Sequence, residues 1–119
     1  LAGNDRYEAG EFSQAGGYYF GLGILHDADS RLADAVLEIV EKEAGLIVGR
    51  NQPYGPEDGV THTLRFHALP LGLLNVMIEI RNDLISDRSE QVGMARRLAD
   101  YLQEALASIG TADKTVSHA

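Results

Sequence analysis

Glu79 and Arg81 place a carboxylate and a guanidinium two residues apart within the stretch Asn75-Val-Met-Ile-Glu-Ile-Arg-Asn-Asp-Leu-Ile85. Val76–Ile80 is a run of strand formers interrupted by one acid, and apolar runs this short mark a strand buried on both faces. Side chains alternate along a strand, so Met77, Glu79 and Arg81 share one face, and Val76, Ile78 and Ile80 share the other. Glu79 and Arg81 can then face one site, the acid suited to proton transfer and the guanidinium to a carboxylate. The plainer alternative is a structural ion pair at a strand end. Ligands of open α/β sheets bind outside the carboxyl ends of strands, which is where Glu79 to Asp83 falls.

The wider set able to fix a small anionic substrate is, in order, Asn51, Tyr54, Arg65, His67, Glu79, Arg81 and Asn82. The histidines, His26, His62, His67 and His118, show no metal-ligand spacing such as two four apart on a helix. Asp27 and Asp29 precede an amphipathic segment and read as a cap and dipole partner rather than a cation site. Gly21 and Gly23 lack the third glycine of a dinucleotide fingerprint, and no Gly-x-Ser-x-Gly elbow occurs for a serine nucleophile.

These residues need elements to hold them. Residues 1–17 carry four glycines among polar side chains and read as a flexible arm. Tyr18–Leu25 alternates as a strand, with Phe20, Leu22 and Ile24 on one face. Its other face carries Gly21 and Gly23, where another backbone or a ligand packs closely. Asp29 or Ser30 caps a helix to about Glu43 with the stripe Leu32, Val36, Ile39 and Val40, and Gly45 stops it. Leu46–Val48 is a second strand, joined to the first by a crossover that implies parallel pairing. Residues 49–59, with Pro53 and Pro56, form a long irregular loop of the kind that carries function. Thr61–Ala68 fits either a strand or a helix. After the strand at Glu79, Asp87 and Glu90 resemble a capping box, and Gln91, Ala95, Leu98, Leu102, Ala105 and Ile109 line a helix ended by Gly110. Residues 111–119 are a polar tail. The expectation is one α/β domain over residues 18–110, with a mixed or parallel sheet flanked by helices.

Composition narrows the function classes. The chain has 119 residues, 45% hydrophobic, with a formal net charge of −8, ordinary for one globular domain. That charge, with a pI near 4.8, argues against nucleic-acid partners and anionic membranes, both of which need clustered basic residues. No apolar stretch is long enough to cross a bilayer. The absence of cysteine excludes disulfides, thiolate catalysis and thiolate-bound metals, and fits a reducing cytoplasm.

From about Gly23 to Leu106 the sequence resembles the N-formylglutamate amidohydrolase family. The resemblance is carried by Asp29-Ser-Arg-Leu-Ala33, Val48-Gly-Arg-Asn51-Gln-Pro-Tyr54, Arg65-Phe-His67-Ala and Gly72-Leu-Leu-Asn-Val-Met-Ile-Glu79-Ile-Arg-Asn-Asp-Leu-Ile85. Members of that family resemble zinc carboxypeptidases in fold. The resemblance implies hydrolysis of a formyl or similar acyl amide on an acidic amino acid, with a zinc-polarised water attacking the carbonyl. Glu79 in Ile-Glu-Ile-Arg matches the strand end that supplies the general acid/base of zinc carboxypeptidases. Arg65, Arg81 and Asn51 then become candidates for holding substrate carboxylates, and Tyr54 and His67 for lining the pocket. The family's zinc-binding His-Glu and His-Ser-x-Thr-Pro motifs do not occur here, and its domain is about twice this length, so the zinc ligands are expected outside this chain. The chain then reads as the C-terminal portion of a longer enzyme, completed by an N-terminal half or by a homo-oligomer. The alternative is a relative without zinc that binds a small anion or a partner and does not hydrolyse it.

Overall fold

In a computed structural model the described residues are 20–43 and 45–118, with side chains described to residue 110. The arm expected over residues 1–17 lies outside them. The elements in order are strand β1 (Leu22–Leu25), helix α1 (Arg31–Val40), strand β2 (Val48–Arg50), helix α2 (His62–His67), strand β3 (Met77–Ile80) and helix α3 (Arg88–His118), with short 3-10 turns between them. Among the described residues no helix is long and apolar enough to cross a membrane.

The sheet is mixed, in the order β2-β1-β3, so β1 is central. β1 and β2 pair in parallel, as the intervening helix implies, with Gly23 opposite Gly49 and Ile24 opposite Arg50. β1 and β3 pair antiparallel, with Leu22 opposite Ile80, Gly23 opposite Glu79 and Leu25 opposite Met77. One row across the sheet is therefore Gly49, Gly23 and Glu79.

The two faces of this sheet differ. Leu22 and Ile24, both fully buried, point into a core made with Leu32, Ala33, Val36, Leu37 and Val40 of α1 and Met94, Tyr101 and Ala105 of α3. Five residues of α1 recur at the helical period and leave water together, which supplies most of what holds so short a helix in place. Tyr101 also donates its hydroxyl to Glu43 at 2.9 Å, and Arg97 reaches the same carboxylate at 3.3 Å, tying α3 to the end of α1. The opposite face carries Gly21, Gly23 and Gly49, and here the backbone packs closely. A Cβ on Gly23 would collide with the carbonyl oxygen of Gln52, and one on Gly49 would lie 2.8 Å from the Phe20 ring.

Several expectations are corrected. Phe20 does not continue the Leu22–Ile24 face; it precedes β1 and turns onto the glycine face. β2 begins two residues later than expected and runs through Gly49, because that glycine serves the close packing of a strand and breaks nothing. α1 ends at Val40, although Gly45, at φ +80, supplies the left-handed stop just beyond it. Thr61–Ala68, open between two readings, is helical, with Arg65 N–H donating to the Thr61 carbonyl. β3 is not buried on both faces: it is half-buried at the edge of the sheet that the described residues form, with Glu79 exposed. Glu90 N–H donates to Asp87 Oδ1 at 2.8 Å, and Glu90 answers through Ser86 N–H at 2.9 Å, so a capping box with Asp starts α3. Its buried stripe runs through Met94 and Tyr101 rather than Gln91 and Ala95, which are exposed. The helix continues past Gly110 to His118.

The packing at Gly23 predicts that Gly23→Ala forces the Gln52 loop off the sheet. Overpacking of this kind costs about 1–3 kcal/mol, read as a lower urea midpoint; an unchanged midpoint would show that the loop yields without cost.

Candidate functional site

The glycine face and the carboxyl ends of β1 and β2 carry the site. Beyond β2 the chain turns at Asn51, whose φ of 50° lies in the left-handed region that Asn tolerates, and continues through a cis Gln52–Pro53 bond. Asn51 N–H donates to the Ile24 carbonyl at 3.0 Å, and its Oδ1 accepts from His26 N–H at 2.8 Å. These two bonds pin the loop at the end of β1, and the Gln52 carbonyl oxygen comes to rest over Gly23. The space a Gly23 side chain would occupy is bounded on its other side by the Glu79 Cβ, 3.5 Å away. The Asn51–Tyr54 loop and Glu79 are thus neighbours across a bare strand. The Glu79 carboxylate has no hydrogen bond or ion pair among the described residues, and Tyr54 is half-buried in the loop.

A second cluster forms at Asp27, two residues beyond the end of β1. Asp27 Oδ2 accepts from the Thr61 hydroxyl at 2.6 Å and from Arg65 Nη2 at 3.1 Å, while Oδ1 accepts from Ala28 N–H at 2.8 Å. Thr61 and Arg65 are four apart, so the helical turn at α2 brings both onto one carboxylate. Thr61 is 1% exposed. The Asp27 side chain is 11% exposed against 54% for Arg65, so a largely covered acid holds a guanidinium that faces solvent. The Thr61 hydroxyl holds the Asp27 carboxyl below the ordinary carboxylate range; burial opposes this, and Ala28 N–H and Arg65 add to it.

A third set lies on the helix-covered face. Arg50 Nη1 contacts Asp34 Oδ1 at 2.7 Å and His26 Nε2 at 3.0 Å. Arginine only donates, so Nε2 accepts and His26 Nδ1–H donates to the Asp27 carbonyl at 2.7 Å. Burial pushes the Asp34 carboxyl upward, but hydrogen bonds from Arg50 and Ser30 outweigh it and leave it below the ordinary value.

The sequence-derived set is therefore only partly assembled. Gln52, within the Asn51–Tyr54 loop, and Glu79 come together over Gly23, and Arg65 pairs with Asp27. Arg81 lies the other way along the ladder, where its N–H donates to the Gly21 carbonyl and its guanidinium pairs with Asp83. The ion pair weighed for Arg81 with Glu79 is made with Asp83 instead. His67 is exposed on α2, and helical geometry removes it from the face it would share with Arg65 in a strand. Asn82 is exposed in a 3-10 turn. Asp27 and Thr61 are absent from the sequence-derived set because two acids ahead of an amphipathic helix read as a cap and dipole partner. Ser30 is the N-cap of α1, without a side-chain cap bond, and Asp29 just before it accepts from Arg31 N–H at 3.1 Å. The Thr61–Arg65 spacing was the available signal, and it counts only once the segment is known to be helical. Among the described residues no three His, Asp or Glu side chains converge in a group that could hold a metal.

Residues 5–86 match the family N-formylglutamate amidohydrolase. Among solved structures, the crystal structure of a gene product from Agrobacterium tumefaciens is similar, with 64% sequence identity and a TM-score of 0.73. The match covers 76% of this chain and 36% of that one, so this chain spans little more than a third of its neighbour's length. No curated protein matches significantly.

Thr61→Val removes the strongest partner of a largely covered carboxylate and should cost about 1–3 kcal/mol at neutral pH. Because the folded Asp27 carboxyl titrates below its unfolded value near 3.8, its contribution is complete above that pH and is lost as pH falls through the folded value. The gap in urea midpoint between variant and parent should be constant from pH 7 to 5 and close below pH 3.8. A gap independent of pH down to acid unfolding would remove Asp27 as its source.

Proposed function

The chain belongs to the N-formylglutamate amidohydrolase family, and from that premise we propose that it supplies the proton-transfer and carboxylate-binding side of an amide hydrolysis. The substrate is an N-formyl or similar N-acyl derivative of an acidic amino acid. Water adds to the acyl carbon, the C–N bond breaks, and the products are the carboxylic acid, formic acid for a formyl group, and the free amine. Glu79 takes the proton from the attacking water and hands it to the departing nitrogen. The single observation behind this role is its placement: an exposed carboxylate with no partner among the described residues, opposite a glycine and beside the turned-back Asn51–Tyr54 loop.

Arg65 is the substrate-carboxylate anchor this arrangement favours, because its guanidinium faces solvent while an acid holds it from behind. Asn51, with Oδ1 engaged by His26, has its amide N–H groups left to offer a ligand. Tyr54 lines the approach, His67 drops out of it because α2 turns it away, and Arg81 is a second anchor on the far side of Glu79. The described residues do not make up the zinc site that the family resemblance implies; such a metal would draw its ligands from residues other than these. The competing reading, a domain that binds a small anion without turning it over, uses the same Arg65 and differs at Glu79.

Glu79→Gln separates the two. In the purified protein assayed with N-formyl-L-glutamate, the hydrolase reading predicts a fall in kcat of about 10²–10⁴-fold, the usual worth of a general acid/base, with calorimetric affinity little changed. Turnover equal to the parent's would remove Glu79 from the chemistry. Binding without turnover in the parent protein would favour the anion-binding domain.

A further inference from the structure

We propose that Asp27, backed by Thr61, is the positioning residue that aims Arg65 at the substrate carboxylate, an inference that rests on the reading of Arg65 given above. Asp27 reaches Arg65 through one nitrogen, Nη2. That nitrogen carries two hydrogens, one on each of the two N–H edges that a guanidinium presents to carboxylates. Whichever hydrogen Asp27 takes, the other edge stays complete for bidentate contact with a ligand.

The contrast with Arg31 shows what this arrangement does. Arg31 gives Nε and Nη2 to both oxygens of Asp29, at 3.0 and 2.7 Å, and Nη2 also reaches the Gly72 carbonyl at 3.1 Å. That guanidinium is spent on its own fold. Arg65 is held at a corner, and the acid that holds it is itself immobilised by the Thr61 hydroxyl and Ala28 N–H. An exposed arginine otherwise samples many rotamers, and fixing it in advance removes an entropy loss from binding. The largely covered carboxylate is the charged partner that makes the fixing strong, and its depressed pKa keeps it charged throughout the neutral range.

A double-mutant cycle tests the proposal, with affinity for N-formyl-L-glutamate measured by calorimetry and folding checked by urea midpoint. Arg65→Ala should weaken binding about tenfold or more, the scale of a charge-assisted contact. Asp27→Asn should weaken it several-fold, and the double variant should bind no worse than Arg65→Ala alone, since Asp27 acts through Arg65. If Asp27→Asn folds too poorly to assay, Thr61→Val replaces it, with a smaller loss that also vanishes in the Arg65→Ala background. Loss with Arg65→Ala but none with the folded Asp27 variant, or losses that multiply, would overturn the positioning role while leaving Arg65 as the anchor. Unchanged affinity in Arg65→Ala would overturn the anchor itself, and the positioning role with it.

Discussion

The Gln52 carbonyl rests on the backbone of Gly23, and no side chain fits between them. This contact organises the polar half of the molecule. It requires a glycine at the centre of the central strand, at a cost of about 1 kcal/mol in backbone entropy relative to alanine. In return the Asn51–Tyr54 loop can fold back over the sheet instead of continuing away from it. Asn51 makes the turn self-consistent, bonding β1 through its own N–H and through its side chain. Because Gly23 faces Glu79 across the ladder, the same absence of a side chain leaves the acid standing beside the loop.

The division between the two faces follows from this packing. On one, α1 and α3 cover Leu22 and Ile24 in a largely apolar cluster that joins helices far apart in sequence. On the other, Gly21, Gly23 and Gly49 clear space beside Leu25, Met77 and Glu79, and the covering includes backbone and Phe20. A sheet built this way has a stabilising face and a face where backbone and ligand-binding groups can approach closely. The polar clusters at the carboxyl ends of β1 and β2 sit where parallel strands leave space for ligands.

Much of this was legible in the chain itself, for reasons that can be named. α1 shows its stripe, Gly45 its left-handed stop, and Asp87 with Glu90 its box, because each depends on residues within one or two turns. The alternation of glycine with Leu22 and Ile24 announced a strand with one close-packed face. What stayed hidden depends on partners distant in sequence. Gly49 reads locally as a breaker, and only the Phe20 ring above it shows why a strand needs it. Met94, Leu98, Tyr101 and Ala105 form a stripe as regular as the expected one, and only the partners of α3, among them Glu43 58 positions away, decide which of the two is buried. Thr61 and Arg65 face Asp27 only if their segment is helical, and its short mixed pattern fits both periods.

Glu79 on the glycine face and Asp27 just beyond β1 show how differently two carboxylates can be surrounded. Asp27 is nearly buried, accepts three hydrogen bonds and sits below the ordinary carboxylate range. Such an acid holds its charge through the neutral range and suits the orientation of a cation. Glu79 has an exposed position and no partner among the described residues, on a strand whose facing residue is glycine. In a chain with 18 acids and 10 Lys and Arg, an unpaired acid is unremarkable in itself. Arg81, two residues along the same strand end, pairs with Asp83 and not with it. A group that must gain and lose a proton during a reaction is better served by that arrangement than by a salt bridge, and a group that must only aim a guanidinium is better served by the opposite one.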